Sequence, residues 1–139
     1  MKLEIFKAKL GISIPLFFST VPAGFPSPAE GYIEEGIDLN SILIAHPAAT
    51  FFVRVQGNSM QNANIYSGDV LVVDRSLEPK NHDIIIGVLQ GEFTVKRILK
   101  RGKQLFLSPE NPSYSPIEIK EGEQFQVWGV VTYVIHKAK

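Results

Sequence analysis

The sequence predicts an all-β fold: a compact, strongly bent β-domain behind an extended N-terminal arm. Three observations carry this expectation. From Phe51 onward, short runs dense in β-branched and aromatic residues alternate with glycine- and asparagine-containing turns. Before them, Pro15, Pro22, Pro26 and Pro28 restrict their neighbours to extended or polyproline II backbone. A chain of 139 residues with a 45% hydrophobic share is enough for one domain with a real core. The expected division is an arm over residues 1–38 and a β-domain over 39–139.

Taken in order, MKLEIFKAKLGISIPLFFSTVPAG has the outline of a secretory signal, with early lysines, an apolar stretch from Ile12 to Phe18, and small residues Val21 and Ala23 before a cut. Glu4 among the lysines, and Ser13 and Pro15 in the apolar stretch, argue against that outline. The segment PAEGYIEEG, Pro28–Gly36, offers a weak helical turn at best. Leu39, Ile42 and Leu43 then recur at helical spacing with Asp38 as a possible N-cap, which predicts a short helix over 37–46 packed on the sheet. After Phe51–Gln56, strands are expected at Asp69–Val73, Asp83–Leu89, Glu92–Arg101, Gln104–Leu107, Ile117–Ile119 and Phe125–Ile135. Ser67-Gly68, Gln90-Gly91, Arg101-Gly102, Asn111-Pro112 and Glu121-Gly122 mark the turns. The last strand is long and apolar, and reads either as a central core strand or as a dimer seam, since an unpaired edge of that kind invites aggregation.

Composition narrows the chemistry. Fourteen basic and fourteen acidic residues balance, so no cationic excess exists to neutralise phosphates, and autonomous DNA binding is not expected. Without cysteine there is no disulfide, thiol nucleophile or thiolate metal site. His46, His82 and His136 are scattered without ligand spacing and read as surface or turn residues, so no metal or other cofactor is expected. No apolar run is long enough to span a membrane. Asp69 and Asp74, five apart around a strand, read as turn and surface residues on opposite faces rather than as a catalytic pair.

One stretch does suggest chemistry. In FFVRVQGNSM, Phe51–Met60, a strand ends at Gly57, which takes positive φ without steric cost, and Ser59 follows at the tip with its hydroxyl presented. A serine needs a base to act as a nucleophile. The candidate is Lys96, in the strand EFTVKRI, where Phe93, Val95 and Ile98 could desolvate it. Burial disfavours an ammonium ion, and a serine with a neutral lysine is a variant of the serine–histidine–aspartate arrangement. On these residues alone a solvated edge-strand lysine is the plainer reading.

The blocks GNSM, GDVLVVDR (Gly68–Arg75) and GEFTVKRI (Gly91–Ile98) resemble the LexA/UmuD family of self-cleaving serine–lysine proteins. VPAGFPSPA, IDLNSILIAHPAATFFVRVQGNSM and SPENPSYSPI extend the similarity across nearly the whole chain. Asn64 and His82 stand where that family commonly has glycine; both tolerate positive φ, so only local turn geometry is in question. The resemblance implies a β-domain of the LexA/signal-peptidase type, Ser59 as nucleophile, Lys96 as general base and Ala23-Gly24 as the bond cut. The arm is too short for a helix-turn-helix unit ahead of that bond, which points to the UmuD branch.

The resemblance further implies a cytoplasmic SOS-response protein, cut under stimulation by a RecA–single-stranded DNA filament. Its trimmed homodimer would be an accessory subunit of a UmuC-type Y-family translesion polymerase in mutagenic DNA repair, without sequence-specific DNA binding of its own. Two other readings stand beside it: a polymerase-binding module with a vestigial dyad, and an exported β-domain whose Ala23-Gly24 bond is cut by a signal peptidase.

Overall fold

Strand Phe51–Gln56 sets the pattern of the sheet. Val53 and Val55 are fully buried while Arg54 and Gln56 are exposed, the alternation that a two-residue side-chain period produces. A computed structural model of the chain describes residues 2–7, 13–17 and 33–138. Its elements in chain order are β1 (Lys2–Lys7), β2 (Ser13–Phe17), β3 (Ile33–Asp38), α1 (Leu39–Leu43), β4 (Thr50–Gln56), β5 (Val70–Asp74), β6 (Ile84–Leu89), β7 (Glu92–Arg101), β8 (Gln104–Ser108), β9 (Ile117–Ile119) and β10 (Phe125–Ile135).

Eight strands make one antiparallel sheet, curled as a half-barrel, in the order β1-β4-β5-β10-β6-β7-β8-β9. The fold is all-β, of the type expected from the sequence. The strands expected between residues 69 and 135 lie within a residue or so of their expected limits.

Buried residues lie on both faces of this sheet around β6. Ile86 and Val95 join Val53, Val55, Met60, Ile65, Leu71 and Val73 in one cluster, while their neighbours Ile85 and Val130 join Ile98 and Leu107 in another. Adjacent residues of a strand point to opposite faces, so β6 serves the two cores at once. Curling depends on β10, whose register shifts between Val127 and Gly129 against β6 and between Val131 and Tyr133 against β5. Such bulges bend a strand and increase its local twist. Gly129 lies at the first of them, and an added Cβ would stand 2.5 Å from Val73 Cγ1.

The chain divides into two compact units, Met1–Ala8 with His46–Lys139, and Lys9–Ala45. In the second, β2 and β3 form a two-stranded antiparallel sheet with a register shift between Pro15 and Phe17. Pro15 lacks a donor, and only a strand with a free edge tolerates that.

Several expectations need correction. The helix over 37–46 is only the five residues of α1, because Ile37 and Asp38 are still in β3. Ile33–Gly36, expected as part of a helical turn at most, is strand as well. The arm also contributes β1, which pairs in antiparallel register with β4 from Lys2↔Gln56 to Lys7↔Phe51. Finally, β10 lies between β5 and β6, so neither of its backbone edges is free for a second subunit.

Gly129→Ala should lower stability by about 1–3 kcal/mol, the usual range for forcing atoms into a packed core. Urea titration checks this; an unchanged midpoint would mean that β10 does not pass this close to β5.

Candidate active site

The turn after β4 brings Ser59 back against the sheet. Gly57 adopts φ 114°, a left-handed value that side chains resist. The turn continues through a short 3-10 segment, Gln61–Ala63, closed by Asn64 in left-handed geometry at φ 61° and ψ 35°. His82 has φ 75°. Both non-glycine residues thus take the positive φ that their positions suggested. Met60, fully buried in the core, anchors the turn.

A second segment braces it. The Glu110 amide donates to the Ser59 carbonyl at 2.8 Å, and the Asn62 amide donates to the Glu110 carbonyl at 2.7 Å. Asn111 Nδ2 donates to the Asn58 carbonyl at 2.8 Å, and the Tyr114 hydroxyl donates to Asn58 Oδ1 at 2.8 Å. Arg97, beside Lys96 on β7, bonds through its Nε to Glu110 Oε1 and so ties this brace to the sheet. SPENPSYSPI therefore holds the serine turn in place, a role that nothing in its composition revealed.

Ser59 is 6% exposed, which corrects the expectation of a hydroxyl presented at a tip. It faces inward. Lys96 Nζ lies 3.4 Å from Ser59 Oγ, across 37 residues of sequence. The same nitrogen donates to Thr94 Oγ1 at 2.7 Å and to the Val95 carbonyl at 3.1 Å. Its partners are two hydroxyls and a carbonyl, and none is a carboxylate. Lys96 is 9% exposed, and burial pushes its pKa below the ordinary lysine value. Of the apolar residues expected to desolvate it, Val95 and Ile98 are buried but Phe93 is 39% exposed. Thr94 was missed by sequence reasoning; two residues before the lysine on one strand, it is on the same face, and that spacing was the available signal.

A cleft of about 340 Å³ opens beside the lysine, lined by Phe93, Thr94, Lys96, Pro109, Tyr114 and Ile117 among others. The Ala23-Gly24 bond falls in residues 18–32, outside the described residues.

The aspartates expected at the surface are buried, each 4% exposed. Asp69 Oδ1 lies 2.6 Å from His136 Nδ1, and Asp74 Oδ2 lies 2.6 Å from His46 Nδ1. Burial raises the pKa of Asp74, but hydrogen bonds from Ser76 and His46 outweigh it and hold the carboxyl below its usual value. These pairs hold the ends of β5 and leave the lysine without a counter-ion.

The half-barrel sheet thus carries a buried hydroxyl and a desolvated amine, the amine lining a cleft. Comparison with known proteins gives the particular family. The chain belongs to the Peptidase S24-like family, which it matches over residues 15–132. It is similar to protein SamA of Salmonella typhimurium, 49% identical over 125 residues that cover 90% of this chain and 86% of SamA. It is also similar to protein MucA of Escherichia coli, 42% identical over 137 residues, 96% of this chain and 93% of MucA. The LexA repressor of Aeromonas hydrophila is 39% identical over 119 residues, 85% of this chain but 57% of the repressor.

A lysine with a lowered folded-state pKa makes stability depend on pH. The unfolded chain, titrating near 10.4, binds the proton more tightly, so stability rises with pH from the folded-state value up to about 10.4. Lys96→Met should therefore melt higher than the unmutated chain at pH 7, by about 2–8 °C if about 1 kcal/mol is recovered, with the gap closing toward pH 10. Calorimetric melts across that range check it; a gap independent of pH would deny the shift.

Proposed function

We propose that this chain cuts its own arm at Ala23-Gly24, with Ser59 as nucleophile and Lys96 as general base. The observation that carries the reading is the approach of Lys96 Nζ to Ser59 Oγ at 3.4 Å, in a site where burial favours the neutral amine. The separation is long for a hydrogen bond, as catalytic contacts often are before substrate docks. Ser59 Oγ attacks the Ala23 carbonyl carbon while its proton passes to Lys96 Nζ. The tetrahedral intermediate collapses as that proton passes to the Gly24 nitrogen, which leaves as a free amine. Water, deprotonated by the same lysine, then adds to the Ala23 acyl carbon; as the ester bond to Ser59 breaks, the proton returns from Lys96 Nζ to Ser59 Oγ and Ala23 leaves as a carboxylate. Thr94 holds the amine from its other side, and the 109–116 segment keeps Ser59 in reach. Thirty-five residues separate Gly24 from Ser59, and extended chain covers up to about 3.3–3.6 Å per residue, ample to reach the cleft.

The family context supports the wider role: a cytoplasmic SOS-response protein whose cleavage is stimulated by a RecA–single-stranded DNA filament, and whose trimmed homodimer joins a UmuC-type Y-family translesion polymerase. The filament acts by favouring the conformation in which the arm covers and dries the cleft, a shift of population rather than new chemistry. With β10 paired on both sides, dimer contacts through that strand fall to its exposed side chains, Tyr133 at 46% and Ile135 at 44%. The geometry favours an active dyad over a vestigial one. Among the described residues no helix is long and apolar enough to cross a membrane.

Mass spectrometry of the purified protein tests the chemistry. A fragment beginning at Gly24 should accumulate, faster as pH rises until the lysine pKa is passed. Ser59→Ala and Lys96→Arg should stay intact while folded, because arginine does not give up its proton. Ala23→Trp should be cut at least tenfold more slowly. Cleavage of the Ser59→Ala chain at the same bond, or a flat pH profile, would overturn the assignment. Sedimentation should show a dimer weakened by Tyr133→Asp or Ile135→Asp; a monomer at micromolar concentration would remove the homodimer.

A further inference from the structure

One edge of the main sheet is covered by a strand that the proposed cut would detach. β1, Lys2–Lys7, precedes Ala23-Gly24 in the chain, yet it pairs with β4, whose C-terminal turn holds Ser59. We propose that β1 is a removable cover, and that cleavage turns the β4 edge into a docking site for an extended partner segment in which two aliphatic residues flank an acidic one. The detachment rests on the reading that Ala23-Gly24 is the bond cut; the chemistry of the edge does not.

Three observations support it. First, of the described side chains of β1 only one packs against the core. Leu3 is half-buried against the core, but Ile5 is 41% exposed and Glu4 is exposed. As an edge strand, β1 has a backbone partner on one side only, β4. Once cut, the fragment is held by two short antiparallel pairings, β1 with β4 and β2 with β3, instead of a covalent tether; at micromolar concentration it loses about a thousandfold of the roughly millimolar local concentration that the tether supplies.

Second, the edge beneath is able to accept a strand. Val55 bonds on the β5 side, its amide to the Asp69 carbonyl and its carbonyl to the Gly68 amide. Alternation along an antiparallel strand then turns the amides and carbonyls of Phe52, Arg54 and Gln56 toward β1. With β1 gone these groups form an open row, the usual template for strand addition.

Third, the register states what fits. Leu3 sits opposite Val55, Ile5 opposite Val53, and Glu4 opposite Arg54. Opposite charges directly across a strand pair are favourable and like charges unfavourable. A second copy of β4 is a poor occupant, because TFFVRVQ carries Arg54 and no acidic residue. A partner's aliphatic–acidic–aliphatic strand meets both demands.

The test is amide hydrogen exchange on the full chain before and after the arm is cut. The cut is made by the protein itself and, separately, by a site-specific protease at a recognition sequence inserted between Ala23 and Gly24. After gel filtration at micromolar concentration, the Phe52, Arg54 and Gln56 amides should exchange at least tenfold faster, with β5 and β7 amides unchanged. The peptide KLEIFK should restore protection, and KLKIFK should need at least tenfold more. Retention of the 1–23 fragment through the column, loss of protection across the whole sheet, equal binding of both peptides, or protection that returns with protein concentration alone would each overturn the proposal. If the chain fails to cut itself, the self-cleavage reading falls, while the inserted site still decides whether the β4 edge is a docking site.

Discussion

The desolvation of one amine organises this molecule. Lys96 is held against two hydroxyls and a carbonyl, with no carboxylate to stabilise its charge. An ammonium ion in such a place loses hydration that neutral acceptors only partly replace, so the balance moves toward the free amine. The rest of the fold serves this condition. β7 places the lysine in the interior, Met60 and Gly57 set the serine turn above it, and the 109–116 segment fixes that turn through four hydrogen bonds. The acidic residues at the ends of β5 are paired with His46 and His136.

Such a site stores a cost in stability. A buried lysine without a counter-ion opposes folding at neutral pH, and the two cores on either side of the sheet must exceed that penalty. They share β6, which sends Ile86 into one and Ile85 into the other, so a disturbance at the curled β10 affects both. The register shifts in β10 bend the sheet, and Gly129 permits the close passage to Val73.

The proposed cut would have a consequence for assembly as well as for covalent structure. The sheet ends on one side in a short strand that precedes the proposed cleavage bond in sequence. On the proposed reading, a single bond break would turn a tethered strand into a separate one and leave the β4 edge open to another. The proposed nucleophile and the proposed docking edge thus belong to one strand, β4, and the turn that follows it.

By itself the sequence determined the strands from Phe51 to Ile135, because alternation of apolar residues and glycine-marked turns is a local property. It also supplied Ser59 and Lys96, through blocks whose spacing resembles a known family, and the positive φ of Asn64 and His82, through the side chains that tolerate it. Only the tertiary structure decided the rest. The length of α1 and the strand character of Ile33–Asp38 depend on pairing with β2, which no local pattern encodes. Asp69 and Asp74 looked like surface residues because their partners, His136 and His46, lie 67 and 28 residues away. β10 read equally as a seam or a core strand until β5 and β6 took its two edges. Thr94, the brace from Glu110, Asn111 and Tyr114, and the inward turn of Ser59 follow from contacts between distant segments. A chain's local preferences fix its strands, but which strands become neighbours depends on burying both faces of the sheet at once.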